Sequence, residues 1–245
     1  MNNSRKFAFF LPNIFTALNM ACGFASIVFS IRGQFFEAAM VLILGAIFDS
    51  VDGRVARLTG TQSSFGEQFD SISDVVSFGV APSMLIFHKY LSSFGRIGAV
   101  VAFIFLLCGA LRLARFNANI EKVSSDYFQG LPIPSAATAI IGYILLADKF
   151  PVIDNYPVVA LFYTLFYGIL MITNIPFNSF KNSELVKKHK KAALFILFVL
   201  IALVFSYYKI MIALGISVYV IGSLLYYLKR RRDFGDAIQW SEEQE

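Results

Sequence analysis

Residues 43–78 read ILGAIFDSVDGRVARLTGTQSSFGEQFDSISDVVSF, and this stretch decides the fold. It leaves an apolar run at Asp49 and re-enters one after Asp74. Five of the chain's 16 acids fall between these two points: Asp49, Asp52, Glu67, Asp70 and Asp74. A carboxylate at bilayer depth is costly and marks a functional site by default. Asp49 and Asp52 are three residues apart, and Ala56 continues their helical face. Asp70 and Asp74 are four apart, with Gly66 one turn earlier. The spacing predicts two antiparallel helices aiming four carboxylates at one point.

Four carboxylates crowded into a low dielectric repel one another, and cations hold them together. Oxygen-only ligands favour Mg²⁺ or Mn²⁺. The number of carboxylates suits two divalent cations sharing bridging ligands roughly 4 Å apart. Gly53, Ala56, Gly60 and Gly66 leave room for a bulky ligand near the backbone, and Arg57 supplies a guanidinium fork for phosphate oxygens. Thr61, Ser63 and Ser64 place hydroxyls in the link. The pattern fits a lipid-tailed diphosphate better than the alternatives, a satisfied polar network or a cation-translocation path.

The rest of the chain supplies the membrane. Of 245 residues, 57% are hydrophobic and 15% charged, and mean hydropathy is +0.66. A soluble domain carries roughly 25% charged residues, so an all-α polytopic bundle in one integral domain over 1–245 is expected. Eight apolar stretches lie near 12–31, 35–54, 68–88, 97–116, 132–149, 156–175, 191–208 and 210–228. The last two are divided only by Ser206–Lys209. Pro12, Asn13 and Asn19 interrupt the first stretch, which reads as a retained span and not a signal peptide.

Eight spans with both termini cytoplasmic put 16 of the 21 Lys and Arg residues inside. Arg32, Lys89, Arg96, Lys149 and Lys209 then lie outside. The run Lys187–Lys191 and the polar tail 229–245, beginning at Lys229–Arg232, read as anchors to anionic lipid headgroups rather than nucleic-acid sites. Cys22 and Cys108 lie in apolar runs and exclude a disulfide framework.

The signature from Asp49 through Asp52, Gly53, Ala56, Arg57, Gly66 and Asp70 to Asp74 resembles that of the CDP-alcohol phosphotransferases at every fixed position. Flanking stretches are similar to the branch formed by bacterial CDP-diacylglycerol–serine O-phosphatidyltransferases. They are Leu11–Thr16 with Asn19 and Cys22–Phe24, Asp74–Pro82, Ala110–Asn117 and Phe128–Ser135. The likeness covers roughly residues 11–140.

That resemblance implies CDP-diacylglycerol and L-serine as substrates, phosphatidylserine and CMP as products, and a homodimer in the inner membrane with its site facing the cytoplasm. It implies two divalent cations on Asp49, Asp52 and Asp70, with Asp74 on the second cation and also the base for the acceptor hydroxyl. Gly53, Arg57 and Ser63 match positions that hold the CDP moiety, with Thr61 and Ser64 as alternatives to Ser63.

The only histidines are His88, which the topology puts outside, and His189, in the Lys187–Lys191 run; neither stands near the acidic site, which argues for direct attack over a covalent histidine intermediate. Arg112 and Arg115 are candidates for the serine carboxylate, or snorkelling anchors. Lys122 and Asn117 are weaker candidates. Gln129, Pro132 and Pro134 read as a turn into the fifth span. The competing readings are sibling transferases acting on glycerol 3-phosphate, inositol phosphate or choline, an archaeol-lipid serine transferase, and a cation transporter.

Overall fold

The computed structural model of the chain describes residues 3–118, 127–178 and 190–229. Lys122, the segment Lys187–His189 and the tail beyond Lys229 lie outside the described residues. The described chain is almost wholly helical, and its helices coincide with the eight apolar stretches. They are α1 (Asn3–Ile31), α2 (Phe35–Thr59), α3 (Ser64–Asp74), α4 (Ala81–Lys89), α5 (Arg96–Ala118), α6 (Ile133–Lys149), α7 (Pro157–Ile172) and α8 (Lys190–Lys229). A break at Tyr207 (φ −131°, ψ 37°) divides α8. It falls in the Ser206–Lys209 interval that separates the last two apolar stretches.

Four segments among the described residues are long and apolar enough to cross a membrane: Phe10–Ile31, Ser64–Lys89, Arg96–Ala118 and Ser206–Lys229. Helix α2 has the length, but its second half carries Asp49, Asp52, Arg54 and Arg57. Helices α6 and α7 are shorter, at 17 and 16 residues.

Helix α6 forms the centre. Ala136, Ile140, Ile144 and Leu145 are fully buried, and it packs against α2, α7 and α8. Helix α1 lies along α2 and also contacts α3 and the turn after it, whereas α2 and α3 share few direct contacts. The two acidic helices both pack on α1, while their own backbones approach closely at few points. Gly23 permits the closeness of α1 to the turn after α3, since a Cβ there would lie 2.8 Å from the Ser77 Cα.

The segment read as one span over 68–88 is continuous from Ser64 to Lys89 but contains a π-helical turn, Val75–Val80. Pro82 follows that turn. It has no N–H to bond the Phe78 carbonyl, and in a regular α-helix its ring would press on that carbonyl. The wider π turn relieves this, with the Ala81 N–H reaching back to Val76 O.

At the end of the bundle that carries the acids, two short strands, Tyr127–Gln129 and Pro176–Asn178, pair antiparallel. Gly130 follows with φ +72°. A Cβ there would collide with the Met171 carbonyl and lie 2.9 Å from the Thr173 oxygen. Gly130→Ala is expected to destabilise the protein by about 1–3 kcal/mol, read as a lowered thermal midpoint in detergent.

At the opposite end, Tyr90 Oη donates to Asp154 at 2.5 Å, and the Lys89 ammonium lies 3.6 Å from the same carboxylate. Burial, together with Asp154, pushes the Tyr90 hydroxyl well above its usual range and keeps it a donor.

Candidate active site

Helix α2 ends at Gly60, whose left-handed conformation (φ 64°, ψ 28°) lets its N–H bond the Ala56 carbonyl. Three residues later Ser63 caps α3, its Oγ accepting from Gly66 N at 3.1 Å. This tight link turns the two acidic segments back toward the same end of the bundle. Between them and the first turns of α1 lies a cavity of about 210 Å³. Arg57, Thr61, Gln62, Ser63 and Glu67 line its outer part, and Asp52, Gly53, Ala56, Gly66 and Asp70 also form its walls. Pro12, Asn13 and Thr16 close it from α1.

Asp49 and Asp74 lie one turn further along their helices, toward the bundle interior. Asp49, Asp70 and Asp74 each present a carboxylate oxygen within 4.8 Å of the others. The Asp49 and Asp74 carboxylates thus face each other across the two helices. Asp52 stands apart from that trio. It is 5% exposed, and its Oδ2 accepts from Thr16 Oγ1 at 2.8 Å. The sequence places all four acids at one point, whereas the structure brings three together and sets the fourth against α1.

The donor set fits a hard divalent cation. Asp70 Oδ1 and Asp74 Oδ1 are buried without a hydrogen-bond partner among the described residues, and buried anionic oxygens are costly unless paired or bound to metal.

The cavity residues are placed for a phosphorylated ligand. A Cβ built on Gly53 meets nothing within 4 Å, so its face is open to the cavity. No ion pair among the described residues engages Arg57, which is exposed at the cavity. Because the Ser63 oxygen accepts its cap bond from Gly66, its own proton remains available to a ligand oxygen. Thr61 Oγ1 is 2.7 Å from Thr59 Oγ1, and Ser64 is the first residue of α3.

The two arginines of α5 differ sharply. Arg115 donates to the carbonyls of Gln129, Met171, Ile172 and Thr173 and to Asn174 Oδ1, at 3.2–3.4 Å. It closes the C-terminus of α7 and ties it to the paired strands. Arg112 is 6% exposed, with a buried Nε that has no hydrogen-bond partner among the described residues. Its guanidinium lies 5.6 Å from the Phe116 ring centre, within Coulombic reach of Asp74.

Asn117 Nδ2 donates to Ser71 Oγ at 2.8 Å, joining the end of α5 to α3. Gln129 Nε2 bonds Asn174 Oδ1, while Pro132 and Pro134 begin α6. His88, in the last turn of α4, is 14 residues beyond Asp74, about 20 Å along a helix at 1.5 Å per residue.

The sequence gives no individual role to Thr16 and Ser77, which fall within the stretches Leu11–Thr16 and Asp74–Pro82, or to Ser73. Ser73 Oγ donates to Thr16 O at 3.1 Å and Ser77 Oγ to Asn19 O at 2.9 Å. Their available signal was small polar residues at heptad-like intervals in apolar helices, notably Thr16, Asn19, Ser26 and Ser30 of α1.

Comparison with known proteins shows which proteins the chain is similar to. A CDP-diacylglycerol–serine O-phosphatidyltransferase of Helicobacter pylori is 40% identical over 174 residues, 71% of this chain and 73% of the relative. One of Methanocaldococcus jannaschii is 40% identical over 168 residues, 68% and 73% respectively. An archaetidylserine synthase of Methanothermobacter thermautotrophicus is 42% identical over 149 residues, 59% and 63%. The family profile described as CDP-alcohol phosphatidyltransferase matches residues 9–177, from before the cavity-lining turns of α1 through the paired strands. The chain belongs to the CDP-alcohol phosphatidyltransferase family, a family of membrane transferases that generally use divalent metals.

Proposed function

We propose that the chain transfers a phosphatidyl group from CDP-diacylglycerol to the hydroxyl of L-serine, giving phosphatidylserine and CMP. The observation that carries this reading is the convergence of Asp49, Asp70 and Asp74 beside the cavity bearing Asp52, Gly53, Arg57 and Ser63. The serine acceptor rests on the names of the relatives. Membership of a transferase family sets aside the cation-path alternative.

The CDP moiety occupies the cavity. Gly53 admits the diphosphate close to α2, Arg57 pairs with its oxygens, and the Ser63 hydroxyl donates to it. Asp49, Asp52, Asp70 and Asp74 would hold two divalent cations, Mg²⁺ or Mn²⁺, which when bound neutralise the diphosphate and stabilise the departing CMP. Asp74 takes the proton from the serine hydroxyl. The serine oxygen bonds to the lipid-bearing phosphorus as the bond to the CMP oxygen breaks. His88, about 20 Å along the helix from Asp74, is too far to form a covalent adduct at this centre, which favours direct attack over an adduct on His88.

Arg112 receives the serine carboxylate, being the buried arginine with an unpartnered nitrogen on the side of Asp74. Arg112→Ala is expected to raise the KM for serine about tenfold or more, with a smaller effect on the KM for the CDP-lipid. An equal rise in both would remove that role.

The eight helical stretches act as spans with both termini cytoplasmic, the site opens to the cytoplasm at the inner membrane, and the protein works as a homodimer. The 16-to-5 division of basic residues supports that orientation. The reading is tested by offering purified protein CDP-diacylglycerol with serine, glycerol 3-phosphate, inositol phosphate or choline, and repeating the serine reaction with CDP-archaeol. CMP release with serine supports it, while a preference for glycerol 3-phosphate overturns the acceptor. Faster turnover of CDP-archaeol would reassign the lipid to that of the archaetidylserine synthase relative.

A further inference from the structure

Helices α2 and α3 carry the carboxylates read as metal ligands; the short link between them and the approach of Asp49 to Asp70 and Asp74 join them directly, and α1 packs against both. We propose that Thr16 of α1 is the positioning residue that holds Asp52 and the turn bearing Asp74 in register. This rests on the reading that the carboxylate cluster binds divalent cations.

Two bonds from one residue carry the inference. The Thr16 hydroxyl lies 2.8 Å from Asp52 Oδ2, and its carbonyl accepts from Ser73 Oγ at 3.1 Å. Ser73 directly precedes Asp74 on α3. Thr16 and Ser73 are 3% and 0% exposed; the Ser73 bond is buried, and the Thr16–Asp52 bond lies in the cavity wall. The hydroxyl proton has a second possible acceptor, Pro12 O at 3.2 Å, but it can be given fully to only one, and the carboxylate is nearer and charged.

The carboxylates show the consequence. Asp52 has Oδ2 held by Thr16 and Oδ1 by the Gly53 N–H, whereas Asp70 and Asp74 each keep an unpartnered buried oxygen. Asp52 is thus locked in place by protein donors, while the other two keep oxygens available to a cation. Donors of this kind orient ligands, and their loss weakens metal binding by roughly 10–100-fold.

The test is Mn²⁺ binding to the purified full-length protein in detergent, without substrate, by titration followed with electron paramagnetic resonance. Thr16→Val keeps the shape and removes the donor, Thr16→Ser keeps the hydroxyl, and Ser73→Ala removes the second bond. Thr16→Val is expected to bind Mn²⁺ about tenfold or more weakly, Ser73→Ala to weaken in the same direction, and Thr16→Ser to stay close to the unaltered protein. In turnover, the metal activation constant should move more than the KM for serine.

If Thr16→Val does not fold, the contrast between Thr16→Ser and Ser73→Ala carries the test. Mn²⁺ affinity unchanged in Thr16→Val and Ser73→Ala, while Asp70→Asn loses binding, would overturn the inference and leave the metal reading intact. Equal losses in Thr16→Ser and Thr16→Val would assign the effect to the methyl group and also overturn it. Absence of Mn²⁺ binding by the unaltered protein would overturn both.

Discussion

Asp74→Asn is expected to reduce phosphatidyl transfer by at least about 10³-fold while the protein still folds and binds CDP-lipid. General base catalysis alone contributes about 10²–10⁴-fold, and this residue is also read as a cation ligand. Asparagine keeps the shape but cannot take a proton from the serine hydroxyl. Asp74 sits beside Asp49 and Asp70, and its Oδ1 is buried without a hydrogen-bond partner among the described residues. The fold should tolerate the change, because the tie from Ser73 to α1 does not use the Asp74 side chain. CMP release under saturating substrates measures the loss. CDP-lipid binding, measured separately, distinguishes a lost base from a collapsed site. Activity within tenfold of the unaltered protein would remove Asp74 from the chemistry.

Chelation is expected to have an effect of similar size. With EDTA in excess, CMP release should fall to background, and Mg²⁺ or Mn²⁺ should restore it. The physical reason is the proximity of three carboxylates, each with an oxygen within 4.8 Å of the others. Without a cation they repel and offer nothing to neutralise a diphosphate. With one, they become its ligands. A cation bound only by the folded state also stabilises it, by about 2.7 kcal/mol at a hundred times its dissociation constant. The thermal midpoint should therefore rise with Mn²⁺ in the unaltered protein, and less in Asp70→Asn. EDTA-resistant turnover would contradict the mechanism.

Much of this site was legible because charge is scarce in the sequence. Aspartates at three- and four-residue spacing stand out between apolar runs, and Gly53, Arg57 and Ser63 fall beside them in the cavity as that pattern implies. The helical stretches followed from hydropathy, and the Ser206–Lys209 interruption contains the break at Tyr207.

Long-range placement was less legible. Periodicity puts Asp49 and Asp52 on one face, but it cannot say that α1 lies against both acidic helices or that Thr16 draws Asp52 aside. Charge and position made Arg112 and Arg115 look equivalent. The end of α7, more than 50 residues away in sequence, supplies three of the four carbonyls that engage Arg115, and Gln129 supplies the fourth. The π turn needed Pro82 to be read against the Phe78 carbonyl inside a helix that hydropathy treats as uniform.

The central claim is that the four aspartates form a metal centre. The most direct measurement is an anomalous difference map from crystals of the protein grown with Mn²⁺. The account predicts two peaks, roughly 4 Å apart, among Asp49, Asp52, Asp70 and Asp74. Mn²⁺ bound elsewhere, with no peak among these carboxylates at saturating concentration, would contradict it.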